Sequence, residues 1–203
     1  KNRHSMGQHI DYYYSHVSPW SYLGAERFYA IAANAGATIA FKPMDLGVIF
    51  PQSGGLPLGK RSPQRRTYRM TELKRWKKHL NVEITLDPAH FPTNDKPGAL
   101  MAIAAGLAGH DMGPLSLAIM GKCWIEEKNI AEEAVLVEAV NECGLNGEAL
   151  LQDSKQDAAA ATYEANTNEA AKRQVFGAPA YIYKDELFWG QDRLDFLERA
   201  LAE

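Results

Sequence analysis

The chain has 203 residues, 46% of them apolar and 23% charged, and its 22 basic and 25 acidic side chains give a formal net charge of −3. That length supports one compact domain or a domain carrying a large insertion, and the lack of a basic excess argues against nucleic acid as a partner. No stretch predicts a membrane span: the longest weakly polar run, Gly98 to Gly109, is too short and is closed by His110 and Asp111.

The opening Lys1-Asn2-Arg3-His4-Ser5-Met6 lacks the apolar centre of an export signal and reads as a tag remnant before a start at Met6. Residues 1–7 are therefore set aside as an extension, and a cytoplasmic location is expected. Gln8 to Tyr14, rich in aromatic and β-branched residues, predicts a strand. Ser18 then suits a helix N-cap and Pro19 the first helical position. Trp20, Leu23, Arg27, Phe28 and Ile31 recur at helical spacing until Gly36. Ala37 to Lys42 predicts a second strand closed by Pro43, completing a βαβ unit.

From Met44 a glycine- and proline-rich loop, Pro51 to Gly59, is expected, followed by helices. Gln64 to Leu80 predicts a basic helix on which Tyr68, Leu73, Trp76 and Leu80 share a face. Helical texture resumes at Pro97 and runs to about Gln174, with breaks expected at Gly113-Pro114 and Cys143-Gly144. Next come Val175-Phe176-Gly177-Ala178-Pro179, then a hairpin of Ala180 to Tyr183 and Leu187 to Gly190 turning at Lys184-Asp185-Glu186. A final helix, Gln191 to Ala202, carries Leu194, Leu197 and Leu201 on one stripe. A helical block inside βαβ…ββα is the plan of an α/β, thioredoxin-like domain. Residues 8–45 and 174–203 are expected to form that domain, and residues 46–173 a helical insertion.

In such a fold the chemistry sits at the start of the first helix, where free N–H groups and the helix dipole favour an anion. Here that place reads Ser18-Pro19-Trp20-Ser21, with a serine at each end and no sulfur. Cys123 and Cys143 stand elsewhere in helical texture, outside any Cys-x-x-Cys, and read as buried apolar side chains. The histidines show no ligand spacing, so no metal is expected. Disulfide exchange by the chain's own groups is excluded, whereas a hydroxyl at a helix tip can hydrogen-bond a thiolate brought by a ligand such as glutathione.

Ala178-Pro179, placed just before a strand, suits a cis peptide that frees the Ala178 backbone to pair with a bound peptide. In Trp189-Gly190-Gln191-Asp192-Arg193, the Asp192 carboxylate can meet an ammonium, while Gln191 and the helix-start amides meet a carboxylate. Each signal also has a plain structural reading: an N-cap, a strand-opening proline, a helix-dipole acid.

Together, Tyr12 to Leu23, Lys74-Arg75-Trp76, Val175 to Pro179 and Trp189 to Leu194 resemble the signatures of 2-hydroxychromene-2-carboxylate isomerases. These are relatives of kappa-class glutathione transferases and of DsbA-like proteins. The resemblance runs from about Ile10 to the C-terminus. It implies glutathione as cofactor and a homodimer, with Ser18 at the thiolate beside Pro19 and Trp20, Ala178 and Pro179 as the backbone clamp, and Gln191 with Asp192 at the γ-glutamyl end. For a basic residue over the ligand the chain offers Lys60, Arg61 or Arg65, and it has Gly54-Gly55 where the family places an asparagine.

The implied reaction is a glutathione-dependent isomerisation of an aromatic-derived carboxylate, in which the thiolate adds to a conjugated ring carbon and is later eliminated. Two alternatives stand beside it: a kappa-like transferase that releases a conjugate, and a non-catalytic DsbA-like module that clamps peptides at Pro179.

Overall fold

The computed structural model describes residues 7–203, so the expected tag remnant lies outside the described residues. Four strands, β1 (His9–Tyr14), β2 (Thr38–Pro43), β3 (Ala180–Tyr183) and β4 (Glu186–Trp189), form one sheet in the order β2-β1-β3-β4. β1 runs parallel to β2 and antiparallel to β3, and β3 and β4 make the predicted hairpin. Lys184 and Asp185 both take positive φ, 49° and 63°, the primed turn that suits the twist of a two-residue hairpin loop.

The period of two in β1 sorts its aromatics. Ile10, Tyr12 and Tyr14 face α1 (Pro19–Asn34) and α9 (Leu194–Ala202), packing with Phe28, Leu194, Leu197 and Leu201. Tyr13 points the other way and joins Met44, Ile49, Ala170, Val175 and Ile182. That second face is covered by α2 (Leu46–Ser53) and the end of α8 (Asp157–Lys172), two helices from the block expected as an insertion. Asn166 ties α8 to the sheet through the Pro43 carbonyl at 3.2 Å, and Thr167 accepts from the Asp45 N–H at 3.0 Å.

The rest of the block comprises α3 (Pro63–Leu80), α4 (Lys96–Leu107), α5 (Met112–Trp124), α6 (Glu133–Glu142) and α7 (Gly147–Ser154). Their core gathers Leu73, Met101, Leu115, Ile119, Trp124 and Leu136, and it also takes Tyr22, Leu23 and Ala25 from α1. α1 is thus shared by both cores, with Phe28 and Ile31 turned to the sheet. The helix is therefore held from two sides.

Four sequence expectations change. The loop expected from Pro51 begins later, because α2 runs through Pro51 to Ser53 and ends on Gly54 at φ 77°. The helix forgoes one N–H donor there, while the Asp45 cap on the Gly47 N–H and the burial of Ile49 hold it. Gly113-Pro114 is no break: it lies in the first turn of α5, where donors are unpaired anyway and Asp111 caps the Gly113 N–H. The chain turns earlier, at Gly109 with φ 87°. Tyr68 leaves the face of Leu73, Trp76 and Leu80 and is 60% exposed, since a five-residue step rotates it about 140° away. Cys143, expected in the interior, is only partly buried at the end of α6, whereas Cys123 is buried.

Candidate active site

Ser18 caps α1 as predicted, its Oγ accepting from the Ser21 N–H at 3.1 Å. Its φ and ψ of −92° and 117° are those of an N-cap, and Pro19 follows at the first helical position. Although only 7% exposed, Ser18 turns its Oγ toward the Ala178 carbonyl, 3.4 Å away and 160 positions on in sequence. The Ala178–Pro179 peptide is cis. Trp20, partly buried, packs back onto the helical core.

The next link runs from Pro179, whose carbonyl accepts from the Gly190 N–H at 2.9 Å. Gly190 has φ 96°, and a Cβ there would stand 2.5 Å from an Asp192 carboxylate oxygen. The positive φ favours glycine, and the missing Cβ leaves room for the Asp192 carboxylate to lie against it. Gln191 to Arg193 form a short 3-10 turn leading into α9. Gln191 is 2% exposed, and both its carbonyl and its Oε1 accept from Arg27 of α1, at 2.6 and 2.7 Å. Its amide nitrogen remains the donating end. Asp192 stays open to solvent, with only a 3.4 Å contact to Arg193.

Ser18, Pro19, Ala178, Pro179, Gln191 and Asp192 are therefore brought into one neighbourhood where the start of α1, the cis peptide and the turn before α9 meet. Lys60 and Arg65 join no contact with these residues and are exposed, Lys60 closing a 3-10 turn and Arg65 standing in the first turn of α3. The more withdrawn cations are Arg61, one of the expected alternatives, and Arg69, which the sequence shows only as one charge in a basic helix. Burial lowers the pKa of Arg61, helped by Arg65, and lowers that of Arg69, helped by Arg61 and opposed by Asp87.

Sequence reasoning misses the support behind Ser18. Asp95, just ahead of α4, accepts from the Ser15 hydroxyl at 3.0 Å and from the His16 N–H and Nδ1 at 2.9 Å each. Trp124 of α5 donates its indole N–H to the His16 carbonyl at 3.1 Å. The helical block thus grips the turn that leads into α1. Neither cysteine sits here: burial, helped by Asp95, pushes the Cys123 thiol up to about 12, and Cys143 is raised as well by burial and Glu142. An acidic trio of Glu126, Glu138 and Glu142 converges elsewhere, around the ammonium of buried Lys122.

Known proteins resemble the chain over nearly its whole length. The chain is 29% identical over 201 residues to the 2-hydroxychromene-2-carboxylate isomerase of Sphingobium xenophagum, covering 98% of this chain and 100% of that one. It is 27% identical to glutathione S-transferase kappa 1 of Caenorhabditis elegans, over 96% and 91% of the two chains. A solved 2-hydroxychromene-2-carboxylate isomerase superposes with a TM-score of 0.81 at 25% identity, covering 96% of this chain and 94% of that structure. Residues 9–202 match the family model of the DSBA-like thioredoxin domain, and the chain belongs to that family.

Proposed function

We propose that this chain is a glutathione-dependent isomerase of a 2-hydroxychromene-2-carboxylate-like aromatic catabolite, with Ser18 as its catalytic residue. One arrangement carries the reading: a hydroxyl, where redox members have a thiol, stands at the N-terminus of α1 opposite the cis Ala178–Pro179 peptide. The names of the relatives support it, two being isomerases of this kind and one a kappa-class glutathione transferase.

The residues present fit the tripeptide. Among the described residues the Ala178 N–H has no backbone partner, so it can donate to an extended peptide laid along the cleft edge. The Asp192 carboxylate, held against Gly190, can receive the γ-glutamyl ammonium, and the donors of Gln191 and the following turn the α-carboxylate. When bound, glutathione supplies a sulfur nucleophile that adds reversibly to a conjugated carbon, so that rotation about a former double bond becomes fast.

The chain's own work is electrostatic. The Ser18 hydroxyl, freed from its long contact with the Ala178 carbonyl, donates to the sulfur, and the dipole of the 16-residue α1 adds to it. Both favour the ionised thiol at neutral pH. Trp20 and the helical core behind it keep that side of the cleft apolar, which strengthens these terms. A cytoplasmic homodimer belongs to the same proposal, on the strength of the family resemblance.

A kappa-like transferase is the second reading, favoured by the nematode relative. Product analysis separates the two. With a hydroxychromene carboxylate, an isomerase turns over many equivalents while glutathione is recovered unchanged. With a chloronitrobenzene, a transferase consumes glutathione one for one and releases a conjugate. No turnover of either, with peptide bound at the cleft, identifies a non-catalytic module.

A further inference from the structure

The outer strands of a sheet expose the backbone groups that no neighbour uses. In β2 the Thr38 N–H donates to the Gln8 carbonyl at 2.9 Å, and just past the strand the Met44 N–H donates to the Tyr14 carbonyl at 3.1 Å. The even-numbered residues therefore bond toward β1, while Ile39, Phe41 and Pro43 turn their backbone groups to the open side. Pro43 has no N–H, and its carbonyl is taken by Asn166 at 3.2 Å. Ile39 and Phe41 are left with two N–H donors and two carbonyls that have no hydrogen-bond partner among the described residues. Nor does a charge guard this edge, because Lys42 is drawn to Asp11 and Glu169.

These groups open into a slot of about 330 Å³. Ile39, Ala40 and Phe41 line one wall, and Ile103 and Leu107 of α4 with Met112 of α5 line the other. Three consecutive strand residues share one cavity along the strand's edge, since their side chains alternate between the two faces of the sheet. Leu107 is 57% exposed despite its apolar side chain.

The slot is also acidic. Asp111 lines it, with one carboxylate oxygen accepting from the Gly113 N–H at 2.9 Å. Asp111, Phe41 and Tyr29 converge there: a Cβ on Gly113 would lie 3.2, 3.3 and 3.6 Å from them. Burial, and then Asp111 and Glu26, raise the Tyr29 pKa, and its buried hydroxyl has no hydrogen-bond partner among the described residues. Neither carboxylate joins an ion pair among the described residues. The other ionisable group of the lining is His110.

We propose that the free edge of β2 is a docking slot for a short extended segment of a partner protein, one that carries a lysine or arginine beside an apolar side chain. The segment adds a strand to the sheet through Ile39 and Phe41, its apolar side chain covers Leu107 and Met112, and its cation meets Asp111. Sheet order sets the slot apart from the Ser18–Ala178 cleft: β2 and β3, which follows the cis peptide, flank β1 on opposite sides. The inference is therefore independent of the glutathione reading.

The test is calorimetric titration of the full chain with the peptide Val-Lys-Val-Leu-Val, acetylated and amidated at its ends. Two N-methylated isomers accompany it, one methylated at the odd positions and one at the even. In an added strand only alternate N–H groups face β2, so one isomer is expected to bind about tenfold more weakly and the other within about twofold of the parent peptide. Glutamate in place of the peptide's lysine is expected to weaken binding about tenfold, and Asp111→Asn, which keeps the helix cap, to remove most of that difference. Ile39→Pro deletes one edge donor outside the ladder and is expected to weaken the peptide about tenfold, with Glu186→Gln on the β4 edge near the parent protein. Peptide affinity unchanged in saturating glutathione keeps the slot. The slot is overturned if the protein binds none of the peptides, treats the two methylated isomers alike, or releases the peptide to glutathione, which would place it in the Ser18–Ala178 cleft. It is also overturned if Ile39→Pro dissolves a dimer that excludes the peptide, since the edge then belongs to a second copy.

Discussion

Asp95 holds His16 twice, at its backbone N–H and at its ring Nδ1, each at 2.9 Å, and so joins the start of α4 to the turn two residues before Ser18. With the Ser15 hydroxyl added, this buried carboxylate accepts three hydrogen bonds. Replacing it by alanine leaves those donors without partners in a site closed to water. Asp95→Ala is expected to lower stability by about 3 kcal/mol in urea denaturation. It is also expected to weaken the thiolate signal of bound glutathione, because Ser18 is positioned through this turn. A loss under about 1 kcal/mol with an unchanged signal contradicts that role.

Gly24 marks a close approach of α1 to the turn before α9. A Cβ there would lie 2.6 Å from the Gln191 Cβ and 3.2 Å from the Tyr181 hydroxyl. Helix propensity favours alanine over glycine by about 1 kcal/mol, whereas overpacking costs about 1–3 kcal/mol. Because the clash is with a side-chain stem that cannot swing aside, packing wins. Gly24→Ala is expected to be destabilised by about 1 kcal/mol net and to bind glutathione more weakly, since the turn carrying Gln191 and Asp192 is pushed outward. Denaturation and calorimetry on the same sample check both effects, and a stabilised variant with parental affinity contradicts them.

Lys122 is buried along its stem, and its ammonium meets Glu142 at 2.7 Å, Glu126 at 3.1 Å and Glu138 at 3.2 Å. Burial alone would lower its pKa, but Glu142, Glu126 and Glu138 together raise it. Its contribution is therefore complete below the unfolded lysine value of about 10.4 and fades as pH rises through the higher folded value. Glu138, held down by Lys128 and then Lys122, contributes above about 4.3 and loses that contribution as pH falls through its lower folded value. Lys122→Met keeps the apolar stem and removes the charge. The expected loss is about 2 kcal/mol near neutral pH, the glutamates being half open to solvent. The gap between parent and variant should close toward about pH 3 in thermal melts across a pH series; a gap independent of pH contradicts the electrostatic account.

What the sequence made legible was local. Ser18 and Pro19 announce α1 by cap and first-turn chemistry, and the hairpin and the stripe of Leu194, Leu197 and Leu201 follow from periods of two and 3.6. α2 stayed hidden because Pro51 and Gly54 are local loop signals, while what holds the helix is the burial of Ile49 against a sheet formed by distant residues. Asp95 carries no mark of its role, since its partner His16 is 79 positions away. Arg69 resembles every other cation of α3 until the fold shows that it is withdrawn onto Phe91 while Lys60 and Arg65 remain exposed. Spacing reveals which side chains share a helix face, not which of several like charges the tertiary structure turns inward.

The central test is the ultraviolet thiolate band of glutathione titrated into the protein at neutral pH, where the free thiol is largely protonated. The account predicts a band in the parent that Ser18→Ala loses, together with about a hundredfold of turnover. Ser18→Gly, which keeps most of the cap's stability, should behave alike and so excludes simple unfolding. A band of full strength in both variants, with turnover intact, would mean that the hydroxyl at the tip of α1 does not hold the sulfur.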